Sequence, residues 1–185
     1  MPLTPYRFDP FPVLITERLV LRQLRDTDDK EIFFLRSHDG VNEFLVAATK
    51  AKSIDDARAF IRTTNAGILA GAWIYWVIML KGSETLMGTI CLWHLDPMNQ
   101  KAEIGYVLNP AFQRNGYMYE AVQEVIGFGF SKMNLAIIEA ISHRDNARSL
   151  SLLTKAGFHY QSSAGVEETY ELHASGPRAK RVSKL

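Results

Sequence analysis

Cysteine is almost missing from this chain of 185 residues: Cys91 stands alone, which rules out an intrachain disulfide framework and fits a reducing compartment. No apolar run approaches the roughly 18 residues that a membrane-spanning helix needs. Met1-Pro2-Leu3-Thr4-Pro5 lacks the charged start and apolar stretch of a secretory signal. A strong charge of either sign is also lacking. The formal net charge of +1 removes the electrostatic reason to expect a nucleic acid or a membrane surface as partner. Five histidines, His38, His94, His143, His159 and His173, fall at no metal-ligand spacing, so no metal is expected. Internal repeats, low-complexity tracts and linkers are absent. Neither the G-x-G-x-x-G nor the G-x-x-x-x-G-K-[ST] phosphate motif occurs. The C-terminal Ser183-Lys184-Leu185 matches the peroxisomal address, which is read only in cells with peroxisomes; a cytoplasmic location is otherwise expected.

What is present is enough apolar material for one core. With 47% hydrophobic residues, the length suits one domain over 1–185 and is short for two. Pro2, Pro5, Pro10 and Pro12 make residues 1–12 an extended arm, and 175–185 form a basic tail expected to fray. The chain is organised around Glu103 to Phe130. Ile104, Tyr106 and Leu108 alternate with Gly105 and Val107 as in a strand, and Asn109-Pro110 ends it. Met118, Ala121, Val122, Val125 and Ile126 then recur at the spacing of one buried helix face. Gln113-Arg114-Asn115-Gly116-Tyr117-Met118 lies between them. A helix start offers unpaired N–H groups and a partial positive charge, Gly116 admits close approach, and Arg114 adds a full charge. Such a turn can hold phosphate. An ordinary strand–loop–helix connection reads equally well from the geometry alone.

Ile15 to Leu24 reads as a strand with Leu19, Leu21 and Gln23 opposite Val20 and Arg22. Asp26 caps a short helix carrying Ile32, Phe33 and Leu35. Ser37 to Lys52 is a connection containing Phe44-Leu45-Val46. Ser53-Ile54-Asp55-Asp56 opens the next helix as a near capping box, and Gly67 and Gly71 bracket its end. Trp73 to Leu80 is a nearly all-apolar central strand, with Trp73, Tyr75 and Trp76 read as core. It turns at Lys81-Gly82-Ser83 into a partner at Leu86 to Trp93, where Cys91 reads as a packing residue. Ala136 to Ser142 is a strand that, beside 103–108, would run parallel to it because a helix crosses between them. Their diverging ends would leave a crevice. A helix at Ala147 to Ala156 and a hairpin from Phe158 to Leu172 complete an α+β fold in α/β/α layers.

Two motifs carry a resemblance. Gln113-Arg114-Asn115-Gly116-Tyr117-Met118 resembles the [QR]-x-x-G-x-[GA] loop of the GNAT N-acetyltransferases, with Met118 in place of the usual Gly or Ala. Asn146-Ala147-Arg148-Ser149, followed by Lys155-Ala156-Gly157-Phe158, resembles their N-x-x-[AS]…K-x-G-F. Gly116-Tyr117-Met118 with Glu120-Ala121, and Glu17-Arg18 before Leu19, look like the Rim-type branch that acetylates ribosomal-protein N-termini.

The resemblance implies a mixed, mostly antiparallel twisted sheet with a splayed parallel pair. It also implies acetyl-coenzyme A as co-substrate, with no metal, and transfer of acetyl by direct attack of a primary amine. Its cofactor contacts would be Tyr106, Val107, Leu108, Gln113, Arg114, Asn115, Gly116, Tyr117, Met118, Asn146 and Ser149, with an N–H near Val107 or Leu108 polarising the thioester. Glu103 would be the base. The tyrosine that many members carry as acid falls on Leu153, so Ser149 is the remaining donor. An α-amine of pKa ~7.8 costs about 0.5 kcal/mol to deprotonate at about pH 7.4, against about 4 for lysine. A protein N-terminus therefore suits one glutamate best. A polyamine, amino acid or aminoglycoside acceptor, or a non-catalytic acyl-coenzyme A-binding module, are the other readings. Phe44 reads as a substrate contact or as core cover, and Glu167-Glu168 as an attractor of a cationic amine or as solvated charge. Monomer and homodimer both stay open.

Overall fold

A computed structural model describes residues 6–44 and 50–174. The first residues of the proline arm, the Leu45-Val46 part of the segment after Ser37, and the tail at 175–185 with its Ser-Lys-Leu end lie outside the described residues. One mixed sheet runs β1-β2-β3-β4-β5-β6-β8-β7. Its strands are β1 (Leu14–Ile15), β2 (Leu19–Arg22), β3 (Ile74–Leu80), β4 (Leu86–Asp96), β5 (Lys101–Leu108), β6 (Ile137–His143), β7 (His159–Ala164) and β8 (Glu167–His173). The helices are α1 (Asp29–Ser37), α2 (Asp39–Asn42), α3 (Ile54–Leu69), α4 (Tyr117–Ser131) and α5 (Ala147–Lys155).

Side-chain alternation divides the core. Trp76, Ile90, Leu92 and Ile104 pack with Met118, Ala121, Val122 and Val125 of α4 and Leu153 of α5. On the other face Val77, Met79 and Leu86 meet Ile32 and Leu35 of α1 and Ala57 and Ile61 of α3. Lys155 Nζ lies 4.4 Å from the centre of the Tyr119 ring and ties α5 to α4. The arm is extended where it is described. It is not loose, because Phe8 is buried in the core and the Trp76 indole N–H donates to the Pro12 carbonyl at 2.8 Å.

Three local expectations change. Ile15 to Leu24 is a short hairpin, β1 pairing with β2 through Leu14↔Leu21 and Ile15↔Val20. Arg22 does not face solvent. Its guanidinium grips both oxygens of the buried Asp28 at 2.8 Å, and a 3-10 turn at Asp26–Asp28 brings the two together. Asp28, rather than Asp26, caps this start by accepting the Arg25 N–H at 2.7 Å. Gly67 lies inside α3, and a Cβ there would sit 2.0 Å from the Trp73 ring; the glycine is the socket for that indole. The Ser53 capping box forms as expected, Ser53 Oγ accepting the Asp56 N–H and Asp56 accepting the Ser53 N–H.

Removing one partner of a buried ion pair leaves an uncompensated charge. Asp28→Ala is therefore expected to lower unfolding free energy by about 3–5 kcal/mol in urea titrations.

Candidate active site

β5 and β6 pair in parallel only through Lys101↔Ile137, Ala102↔Ile138 and Glu103↔Glu139. Beyond that point β4 still covers one edge of β5 as far as Gly88↔Leu108, while β8 follows β6 along its whole length to His143↔Glu167. The β6-facing edge of Ile104 to Leu108 is thus left without a strand, which exposes backbone groups to a ligand. A cavity of about 730 Å³ occupies the gap and passes between the two faces of the sheet.

Strand alternation sorts the residues around that cavity. Glu103, Gly105 and Val107 lie opposite Trp93, Cys91 and Thr89 on the α1–α3 face. Tyr106 turns to the α4–α5 face, where its hydroxyl lies 2.9 Å from Ser149 Oγ. Burial pushes the Tyr106 phenol up to about 12, partly offset by that bond. Ser149 is set by the first turn of α5, its N–H donating to Asn146 Oδ1 at 3.2 Å. Asn146 is thus a helix cap as well as a cavity residue. Leu153 is 1% exposed and belongs to the core.

Glu103 is buried at the last paired position of β5. Burial pushes its carboxyl up; the His94 hydrogen bond lowers it, and Glu139 raises it. His94 Nδ1 lies 2.9 Å from Glu103 Oε2, although its sequence position singled it out for nothing. The buried Trp93 indole N–H makes no hydrogen bond of normal geometry, yet it faces this carboxylate closely enough to ease its ionisation. Cys91 also lines the cavity, and burial pushes its thiol up to about 12, leaving it protonated and unreactive at neutral pH.

The loop before α4 is held from several elements. Arg114 and Gly116 take φ of 66° and 76°, left-handed backbone of the kind from which anion-binding nests of N–H groups are built. Arg114, Asn115 and Gly116 are exposed. Met118 sends its side chain into the core, so only its backbone N–H is left for a ligand. Gln113 is a tether as well, donating to the Leu108 carbonyl at 3.2 Å and accepting from Arg148 at 2.8 Å. Arg18, from the opposite end of the chain, donates to the Asn115 carbonyl at 3.0 Å and stands over the Tyr117 ring. Glu120 holds it there. Its carboxylate accepts from Arg18 Nε at 2.6 Å, Arg18 N at 2.8 Å and Thr16 Oγ1 at 2.5 Å. Arg18 and Arg148 add two cations to the single Arg114 that the motif identified.

The cavity is further lined by Arg36, Phe44, Phe60, Trp73, Tyr75 and Glu167. Phe44 packs on His143, with ring centres 5.4 Å apart, and both face the cavity. Trp73 and Tyr75 are therefore wall residues, whereas Trp76 is wholly core, as expected. Glu168 instead accepts from the Tyr170 hydroxyl at 3.0 Å. Among the described residues, no helix is long and apolar enough to cross a membrane.

Residues 18–159 match the acetyltransferase (GNAT) domain family. The N-acetyltransferase YoaA of Bacillus subtilis, itself uncharacterized, is 37% identical over 148 residues, covering 80% of this chain and 83% of YoaA. RimL, a ribosomal L7/L12 alpha-N-protein acetyltransferase solved with coenzyme A, superposes with a TM-score of 0.79 at 15% identity, covering 88% of this chain and 98% of RimL. The microcin C7 self-immunity acetyltransferase MccE, solved with acetyl-CoA and AMP, gives 0.75 at 18% identity, covering 85% and 93%. At these identities the two structures are likenesses of fold.

The Glu120 clamp has a pH signature. Burial pushes its carboxyl up, but the bonds from Thr16 and from the Arg18 backbone and guanidinium outweigh this and hold it below its ordinary 4.5. A depressed folded-state pKa stabilises above the unfolded value, and that gain is lost as pH falls through the folded one. The Tm deficit of Glu120→Gln is expected to be full at neutral pH and to shrink in acid below 4.5. Calorimetric scans across that range measure it.

Proposed function

The chain belongs to the GNAT N-acetyltransferases, and from that premise we propose that it moves acetyl from acetyl-CoA to the α-amine of a protein N-terminus. The observation that carries this reading is the position of Glu103. It is a buried carboxylate at the last paired residue of β5, beside the free backbone edge and facing the cavity.

The open edge of Ile104 to Leu108 fits an extended pantetheine arm, which can add to it as a strand would. An N–H near Val107 or Leu108 polarises the thioester carbonyl in this reading. The N–H groups of Arg114 to Met118, with Arg114, Arg18 and Arg148 nearby, fit a pyrophosphate and further phosphate. Asn115, Tyr117 and the Gln113 tether shape that cradle, and Asn146 orients Ser149. Glu103 takes the proton of the attacking amine through water. Ser149, backed by the Tyr106 hydroxyl at 2.9 Å, returns a proton to the leaving thiolate in place of the tyrosine that Leu153 has replaced. A hydroxyl pair at this point favours turnover over a purely binding role.

The charge of the cavity bears on the acceptor. Its two carboxylates, Glu103 and Glu167, are offset in part by Arg36, so a polycationic polyamine or aminoglycoside meets only a small net negative charge. One buried glutamate suits the low pKa of an α-amine. A second reading has its own support: Phe44, Phe60, Trp73, Tyr75 and Trp93 give the wall an aromatic character that also suits a small amine bearing a planar group.

Thiol release from acetyl-CoA, measured with peptides of free and blocked N-termini beside polyamines and aminoglycosides, decides the acceptor. Turnover confined to free N-termini is the expected result, and turnover only with small amines would replace it. Glu103→Gln is expected to lower kcat ~10²–10⁴-fold with acetyl-CoA affinity unchanged in calorimetry. Because burial raises the Glu103 carboxyl above 4.5, activity should fall as pH drops through that raised value.

A further inference from the structure

We propose that His94 forms a carboxylate–imidazole pair with Glu103 and carries the proton taken from the amine out to solvent. The inference rests on Glu103 as base in the reading above, and adds the route by which that base is reset.

The pair spans the boundary between cavity and water. The Glu103 side chain is 11% exposed and the His94 side chain 66%, with 2.9 Å between Oε2 and Nδ1. A carboxyl group enclosed in the cavity wall needs a path for its proton, and this ring is a group that touches both sides. The backbone is bent to place it there. β4 loses register with β5 between Trp93 and Asp96, and His94 sits in that irregularity with φ of 45°. Left-handed geometry is unfavourable for a residue with a Cβ and persists only where the surroundings impose it. The result here is a ring laid flat on Trp93, with centres 4.0 Å apart and planes 16° from parallel, and with Nδ1 aimed at Glu103.

Other charges facing Glu103 leave this route open. Glu139 on β6 repels the carboxylate, but Lys101 Nζ holds Glu139 at 2.6 Å and Glu171 of β8 at 3.2 Å. Cys91 on β4 is a neutral thiol. Arg36 and Glu167 lie elsewhere on the cavity wall. In the step itself the amine nitrogen loses its proton through water to a Glu103 oxygen as the N–C bond forms. At rest the ring is the Nδ1–H tautomer, the neutral form that can donate to the ionised carboxylate. Once Glu103 is protonated, exchange with water at the exposed ring moves the Nδ1 proton to Nε2. The carboxyl proton passes to the freed Nδ1, and the imidazolium loses its Nε2 proton to bulk water. That loss restores the Nδ1–H tautomer and its bond to the ionised carboxylate. The leaving sulfur takes its proton from the Ser149 side, so the two transfers balance through solvent.

The test combines a titration that needs no substrate with kinetics that do. In infrared titration, with the Glu103 band assigned by Glu103→Gln, His94→Ala is expected to raise the Glu103 pKa, since the His94 contact lowers it. With acetyl-CoA and a free-N-terminus peptide in dilute buffer, His94→Ala and His94→Gln should lose on the order of 10²-fold in kcat with KM for acetyl-CoA unchanged. Added imidazole should restore the His94→Ala rate and leave the reduced Glu103→Gln rate unchanged. An unmoved Glu103 titration overturns the pair whatever the acceptor is. A kcat that stays at the wild-type level in dilute buffer, or a loss that imidazole does not repair, overturns the proton route. Wild-type silence toward the peptide, with the titration shifted as expected, supports the pair and counts against the acceptor reading alone.

Discussion

Between β5 and β6 the hydrogen-bonded ladder passes through Lys101, Ala102 and Glu103 and then stops, and the whole site follows from that interruption. Past Glu139, β6 stays paired with β8 as far as His143↔Glu167 while its β5-facing edge is left free. β5 is held as firmly to β4. Each strand keeps its outer partner while the two diverge, and the sheet is left with a row of backbone groups whose natural partner is another extended chain. The same splay buries Glu103 at its apex and opens the passage on which Tyr106 and Ser149 converge.

A second layer of organisation is electrostatic and long in sequence. Arg18 at the start of the chain and Glu120 in α4 join across the sheet and brace the Asn115 carbonyl at the tip of the cradle. Arg148 of α5 reaches the same loop through Gln113. The cradle is thereby fixed from three elements before any ligand arrives, which reduces the ordering cost of binding. Its polar wiring lies at the surface, while Met118, the next residue but one after Gly116, anchors it to the core.

Much of this was legible in the residues. Apolar spacing located α4 and β3, the Ser53 capping box marked the start of α3, and the parallel pair followed from a helix crossing between two strands. The Gln113 to Met118 and Asn146 to Phe158 motifs pointed to a family that the comparison then established. What stayed hidden depended on contacts between distant positions or on backbone irregularity. The partner of Arg22 stayed hidden, because nothing in a period of two announces that a 3-10 turn will carry Asp28 back to it. Gly67 looked like a helix stop, because the Trp73 ring that needs its space lies beyond the end of the helix. His94 was one of several scattered histidines until a register shift in β4 turned it onto Glu103. The Tyr106–Ser149 pair required knowing that the strand and α5 face one another across the splay.

The central claim is that the free edge of β5 is a binding surface completed by the ligand. Amide hydrogen exchange with and without acetyl-CoA tests it most directly. The account predicts new protection at Ile104 to Leu108 and in the Arg114 to Met118 cradle, with the β6–β8 ladder unchanged. Protection elsewhere, with the β5 edge exchanging as fast as in the free protein, would contradict it.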